Sequence, residues 1–563
     1  MTIPVKKQAM KSKNAWIFSI LYQLGLVAAA SILFTGSFPN FVFKNGLPFL
    51  AWFAYIPILV LIRKNNFLAC AGWGAIYGFI AYNLFNYWLG AFHPMAGAIV
   101  SSIYLVYLAA VFALLKLADV LYPRRSYIVQ WTIWLAYEFL RTLGFLGYSY
   151  GITGYSQWRI IPLIQIASVT GVWGVSALVT FPSFALAAAL KDWRIGGGLR
   201  GIGTAAAAFF RKEKIPVVVW AAAVAAAVVF GIVSNRDFSS FPTAQVALIQ
   251  HNTDPWEASK APTTWHINEA YRKDLAILKR LSDEAILSVP MPQMVVWSET
   301  AFVPRIYWHT TYRNDQDSWA IVRELLDYLS TKDIPFLIGN DDGRMEPAKN
   351  PDPSERYRVD YNAAILFENG KIAGTYRKLH LVPFTEHFPY KKQLPFFYNI
   401  LEKADIHFWE KGEEETVFQG PGFTFSAPIC FEDTFGYLSR NFVRRGADVL
   451  VNISNDAWSN SLPAQNQHLS MAVFRTIENY RPMVRSTASG QTCAIDPSGR
   501  IIAMAAPFTE AWLNVTIPLV KGDTLYTLYG DYLALAFTFI AVILLLSGAV
   551  SCTIRKTREG QKQ

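Results

Sequence analysis

The chain has 563 residues, of which 53% are hydrophobic and only 16% charged. A water-soluble protein carries about 25% charged residues, so the composition excludes a chain that folds wholly in water. The net charge of +10 sits in loops between apolar runs, which ties it to membrane topology rather than to nucleic acid, and four cysteines are too few for a disulfide scaffold.

In chain order, eight apolar runs approach or exceed the ~20 residues a helix needs to cross a bilayer. They are 15–36, 45–62, 67–91, 96–119, 127–146, 161–190, 215–233 and 527–550. The first follows Lys6, Lys7, Lys11 and Lys13 and resembles a signal peptide, but its length and the spans after it mark a retained anchor. The second holds Pro48 and Pro57 and is the weakest, crossing or re-entrant. The sixth is long enough to tilt or kink at Pro182. Lysine and arginine alternate between the connecting segments. Arg63 and Lys64, Arg124 and Arg125, the 191–214 group and the C-terminal tail share the N-terminal side, whereas the opposite loops hold only Lys44 and Arg159. Positive residues stay in the cytoplasm. Both termini are therefore expected inside, and the long insert outside. "GGGLRGIG" (196–203) lacks GK[ST] and a preceding strand, so it reads as a cytoplasmic linker and not as a phosphate loop.

The expected domains are a membrane domain at 1–233, an extracytoplasmic catalytic domain at 234–526, a transmembrane helix at 527–550 and a basic tail at 551–563. Within the insert, short β-branched runs at 245–250, 294–299, 335–340, 362–369, 423–430, 449–454 and 511–517 read as strands. Helical patterns fill 264–288, 317–331, 433–446 and 464–481, and 368–378 reads as a hairpin turn feeding a strand. The alternation predicts an α/β layered domain. Glu299, Cys430 and Asn455 fall at or just after strand ends, where α/β sheets gather their ligands.

"SAPICFED" (426–433) places Cys430 beside Glu432 and Asp433. Acids alone suppress a thiolate, so a reactive Cys430 needs a cation from elsewhere. Lys378 in "YRKLHLVPFTEHFP" can supply it, and can hold an oxyanion together with the Phe431 backbone N–H. Glu299 in "VVWSETAF" can take the thiol proton, and Glu386 and Glu432 can hold the lysine. Residue types alone leave other readings open. His380 or His468 could form a Cys–His pair, and Cys430 could be a core thiol or bonded to Cys493. The histidines lack metal-ligand spacing.

"VVWSETAF", "YRKLHLVPFTEHFP", "APICFED" and "NISNDAW", in this order, resemble the nitrilase superfamily, whose members use a Glu–Lys–Cys triad on an α-β-β-α sandwich. The chain is most similar to the membrane branch of that superfamily, the apolipoprotein N-acyltransferases, through "QHLSMAVFRTIENYRPMVRSTASG", "AIDPSG", "YEFLRT", "GYSQ" and "QIASVTGVWGVS". The resemblance implies a polytopic α-helical membrane domain joined to a nitrilase-like α/β sandwich. It also implies Glu299 as base, Lys378 as charge and oxyanion stabiliser and Cys430 as nucleophile, supported by Glu386, Phe431 and Glu432. The implied reaction is ping-pong. A phospholipid acyl chain passes through a Cys430 thioester to the α-amino group of a diacylglyceryl-cysteine on an apolipoprotein, without metal or diffusible cofactor. A monomer in the bacterial inner membrane, facing the periplasm, is expected. Phe431 replaces the family tyrosine, Thr385 replaces glycine, "AWSNS" replaces an AWFGDS-like run and "QHNTDPW" stands where QGNI is common. Trp256, Phe396, Phe397 and Asn455 are substrate or lid candidates, the aromatic segment 394–409 serving as a lid over an acyl tunnel. The alternatives are a membrane-tethered amidase, for which the acyltransferase-like membrane segments have no use, and a non-catalytic scaffold, which has no use for a complete triad.

Overall fold

The computed structural model describes residues 4–92, 96–192, 198–234, 236–253, 264–313, 315–350, 352–353, 356–396, 398 and 408–560. Trp256, Phe397 and most of the 394–409 segment lie outside the described residues.

Among the described residues, six helices are long and apolar enough to cross a membrane: Trp16–Ser37, Phe67–Phe85, Ala96–Leu121, Val172–Ala189, Lys214–Val233 and Tyr532–Ile554. Phe18, Leu68, Ile215 and Phe539 point their apolar side chains outward, as lipid-facing positions must. The two remaining runs form shorter helices, so the expected eight spans reduce to six that are long and apolar enough. The second is a short 3₁₀ turn, Pro48–Trp52, followed by the helix Ile56–Lys64. Just before it the Lys44 carbonyl accepts from Asn466 of the insert, at 2.8 Å. Just beyond its other end Asn65 donates to Gln23, at 2.6 Å, midway along the first helix. The helix Ser126–Leu140 passes from Asp119, which Ser126 contacts at 3.2 Å, to Arg141 beside the insert.

The sixth run is interrupted at Gly171, which lies at φ +65, and its helix continues unbroken through Pro182. A Cβ at 171 would stand 2.7 Å from the Tyr526 ring. The new helix start at Val172 gives its N–H to Glu478 of the insert, at 3.0 Å. The break is thus set by docking of the two parts, with a carboxylate satisfying a helix N-terminus. The 196–203 linker is helical where it is described: a helix spans Gly198–Lys212, and its alanine-rich stretch has high helix propensity.

The insert folds into two six-stranded sheets. The first has the order β12-β1-β2-β3-β4-β5, built from β1 Thr243–Gln250, β2 Met294–Val296, β3 Phe336–Met345, β4 Arg358–Glu368, β5 Lys371–Arg377 and β12 Ala511–Pro518. The second has the order β11-β10-β9-β8-β7-β6, built from β6 Val417–Gln419, β7 Thr424–Ser426, β8 Val449–Ser454, β9 Met483–Thr487, β10 Cys493–Ile495 and β11 Ile501–Met504. Strand periodicity sorts the first sheet's side chains. Ala247, Ile249 and Val295 pack under the helices Thr264–Ile286 and Gln316–Ser330, while Val246, Leu248 and Val296 face the second sheet. The helices Gly436–Arg444 and Leu462–Asn479 cover the second sheet. β6, β9, β10 and β11 were not expected from sequence. Three of them have four residues or fewer, too few to show an alternating pattern.

The helix Leu462–Asn479 is buried from Ala464 to its end and forms the seam with the membrane domain. Gln467 donates to the carbonyls of Pro39 and Phe85, at 2.8 and 3.3 Å, and accepts from the Trp88 indole at 3.0 Å. Arg475 reaches the Tyr155 hydroxyl at 3.0 Å.

Candidate active site

The sequence around Cys430 turns sharply for identifiable reasons. β7 ends at Ser426, and Cys430 opens a 3₁₀ turn, Cys430–Thr434, with φ +50. That backbone region is costly for a side-chain-bearing residue and persists only where neighbours enforce it. Asn452 of β8 donates to the carbonyls of Pro428 and Cys430, at 3.1 and 3.3 Å. Glu432 accepts the Ile429 N–H at 2.8 Å. The Phe431 N–H lies in the first turn, where helical N–H groups lack internal acceptors.

Lys378 follows β5 directly and is 0% exposed. Its ammonium meets Glu299 Oε1 at 3.2 Å and Glu386 Oε1 at 2.8 Å. Burial pulls the lysine's pKa down, but the charges of Glu299, Glu386 and the Cys430 thiol hold it well above its ordinary value. Glu299 lies beyond β2, which ends earlier than expected, at Val296. It is held by the Asn362 amide at 2.8 Å and the Asn455 backbone N–H at 3.0 Å. Glu386 caps its own turn, accepting the Val382 N–H at 2.9 Å. Burial raises the Glu386 pKa, against the pull of Lys378.

Cys430 is a free thiol, as is the buried Cys493. Burial pushes the Cys430 thiol well up, Glu299 pushes it further, and Lys378 opposes both. These surroundings favour the protonated thiol over the thiolate. Attack then requires a base that acts as the new bond forms.

The two acids after Cys430 have separate duties. Glu432 accepts from the Tyr376 hydroxyl at 2.8 Å and from the N–H groups of Leu379 and His380 at 2.7 and 2.9 Å. With Ile429 included, it clamps the lysine loop to the Cys430 turn. Burial lifts this carboxyl to about 7. Glu432 thus holds the backbone of the lysine loop and not the ammonium as expected, and Asp433 pairs with Arg485 and His468. The latter contact occupies His468 Nε2, and Asp456 occupies Nδ1 at 3.1 Å, so His468 is not a base for the thiol. His380 meets Tyr437 at 3.2 Å and has its pKa lowered to about 4 by burial.

The Phe431 ring is buried against Tyr148 and Tyr150, each 6.4 Å away, and Phe435, at 5.0 Å. The membrane domain supplies both tyrosines, and Arg141 fixes their carbonyls at 3.1 and 2.9 Å. Asn455 acts through its backbone on Glu299, while its side-chain oxygen accepts from Ala457 at 3.2 Å. Phe396 is 71% exposed. Nearby, Phe145 of the membrane domain packs on Phe384, Phe388 and Tyr390, with ring centroids 5.4 to 6.5 Å apart. The sequence reading missed Asn362 and Asn452. A lone asparagine within an apolar strand pattern such as "VLVNIS" was the available signal.

Comparison with known proteins agrees with this architecture. A family model described as carbon-nitrogen hydrolase matches residues 245–525, and one described as apolipoprotein N-acyltransferase N-terminal domain matches 30–185. The chain is 41% identical to apolipoprotein N-acyltransferase 1 of Treponema denticola over 542 residues, covering 94% of this chain and 97% of that protein. It is 44% identical to the Treponema pallidum protein of the same name over 558 residues, covering 97% and 99%. Among solved structures, Saccharomyces cerevisiae Nit3, a member of branch 10 of the nitrilase superfamily, is 18% identical with a TM-score of 0.34, covering 51% of this chain and 93% of that one.

Proposed function

We propose a thioester route to lipoprotein N-acylation for this chain, which belongs to the apolipoprotein N-acyltransferase family within the carbon-nitrogen hydrolases. One observation carries the reading: a buried Lys378 bridges Glu299 and Glu386 beside the free Cys430 thiol. In the first half-reaction Glu299 takes the thiol proton as sulfur attacks a phospholipid ester carbonyl. Lys378 and the Phe431 N–H hold the oxyanion. The C–O bond then breaks, the lysophospholipid alkoxide takes the proton from Glu299, and an acyl thioester remains. In the second half-reaction the neutral α-amine of a diacylglyceryl-cysteine attacks the thioester and passes a proton to Glu299. The C–S bond breaks, and the proton returns to sulfur.

The basic residues Arg63, Lys64, Arg124 and Arg125 sit at helix ends or in the loops between helices. Asn65, just after Arg63 and Lys64, reaches Gln23 at 2.6 Å, and Arg125 pairs with Glu213 at 3.3 Å. The positive-inside rule supports a cytoplasmic position for these residues and for both termini, with the insert and the triad on the periplasmic side. The reading keeps domain boundaries near 233, 526 and 550 and has the thiol beside the leaflet that supplies the acyl donor. The expected working form is a monomer. The test is incubation of the purified full chain with phospholipid, followed by intact mass measurement. An acyl adduct should accumulate without acceptor and move to a diacylglyceryl-cysteine peptide when that peptide is added. Absence of any adduct sinks the reading.

The lid assignment for 394–409 has its own test. Trp409, at the end of this segment, donates its backbone N–H to the Glu386 carbonyl at 2.9 Å, which ties the segment to the lysine loop. Phe396→Asp places a charge on an exposed apolar ring. It is expected to slow acyl loading from liposomes about tenfold, with the unfolding temperature unchanged. Equal loading rates in proteoliposomes exclude a lid role.

A further inference from the structure

The geometry points to His468 as a positioning residue that sets the separation between the nucleophile and its base. We infer this from the two turns that the imidazole joins. Nε2 contacts Asp433 Oδ1 at 2.7 Å, and Asp433 belongs to the turn that begins with Cys430. Nδ1 contacts Asp456 Oδ1 at 3.1 Å, and Asp456 follows Asn455, whose N–H holds Glu299 Oε2 at 3.0 Å. One ring thus spans from the turn carrying the sulfur to the turn holding the carboxylate that must take its proton. Arg485 lies under the bridge, paired with Asp433 and 3.7 Å from Asp456. All four side chains are buried, so water does not compete for these bonds. Charge-assisted contacts in such surroundings are short and directional.

The preceding turn of the same helix gives the bridge a second anchor. Gln467 and Asn466 hold the carbonyls of Pro39, Phe85 and Lys44, where the membrane domain meets the insert. His468 is therefore fixed from the membrane side while it aligns the catalytic turns. Both of its nitrogens are committed to carboxylates, so it does not touch the reacting atoms. It acts through Asp433 and Asp456. A shift of about 1 Å between reacting groups costs on the order of 100-fold in rate.

This inference rests on the thioester reading, so its test uses probes that succeed or fail independently of the phospholipid. The full-length protein in detergent is acylated by a p-nitrophenyl acyl ester and, in parallel, alkylated by iodoacetamide. His468→Gln retains a donor near Nε2 for Asp433, and His468→Asn retains one near Nδ1 for Asp456; His468→Leu retains neither. The expected saturating acylation rates fall about tenfold for Gln and Asn and about 100-fold for Leu, with the ester KM within twofold. Alkylation, which needs no aligned base, should fall less than threefold in all three. A graded loss of this kind supports positioning. Acylation within threefold of wild type in His468→Leu overturns it, as does a parallel fall of acylation, alkylation and unfolding temperature. If His468→Leu does not fold, the other two variants decide: both within threefold overturns the assignment. A wild-type protein acylated by the ester but not by phospholipid would fault the acyl-donor reading and leave this one standing.

Discussion

Cys430→Ala and Cys430→Ser are expected to form no acyl adduct with phospholipid and to lose at least about 10⁴-fold in transfer rate. Alanine removes the nucleophile. Serine keeps a hydroxyl in place, but its proton is far harder for a carboxylate such as Glu299 to take than a thiol proton. Neither change should unfold the protein, because the φ +50 at position 430 is imposed by Asn452 and Glu432 rather than by the side chain. Cys493 is no substitute: burial pushes its thiol to about 12. The checks are intact mass after phospholipid incubation and transfer to a diacylglyceryl-cysteine peptide. An adduct that persists in Cys430→Ala would falsify the assignment of the nucleophile.

Glu299→Gln separates acidity from catalysis. In the wild type the Glu299 charge raises the thiol pKa, second only to burial. Removing that charge lowers the pKa, so alkylation of Cys430 by iodoacetamide at pH 8 should become faster. Acyl transfer should nevertheless slow by about 10²–10⁴-fold, the usual contribution of a general base. The amide keeps an oxygen for Lys378 and Asn362, now at 3.2 and 2.8 Å, but loses an acceptor for the Asn455 N–H. Circular dichroism on the variant checks that it is folded. The decisive comparison is the two rates on one preparation, and a fall in both would count against Glu299 as the base.

Much of this was legible in the sequence because apolar runs and strand-end residues are local signals. Helix start and stop residues were less so. The sixth run looked like one long span with a proline to bend it, yet the chain breaks at Gly171. The cause is distant: Tyr526 and Glu478 arrive there from the insert. The same holds for the short strands β6, β10 and β11, which form because a neighbouring strand offers its edge.

The candidate site divides in the same way. Residue types alone left a Cys–His pair, a core thiol and a disulfide open, and it was the resemblance carried by the ordered segments around Glu299, Lys378, Glu386 and Cys430 that singled out these residues. The sequence by itself determined the membrane-plus-α/β architecture, and through its resemblance it named the candidate chemical parts. Only the tertiary structure decided how Glu432 and Asp433 divide their work. Adjacent residues in a 3₁₀ turn project in different directions, so one reaches the lysine loop and the other Arg485 and His468. Hydrogen-bond partners 52 and 53 residues apart in the chain leave no local pattern, because their contact exists only after the two sheets and the seam helix have packed.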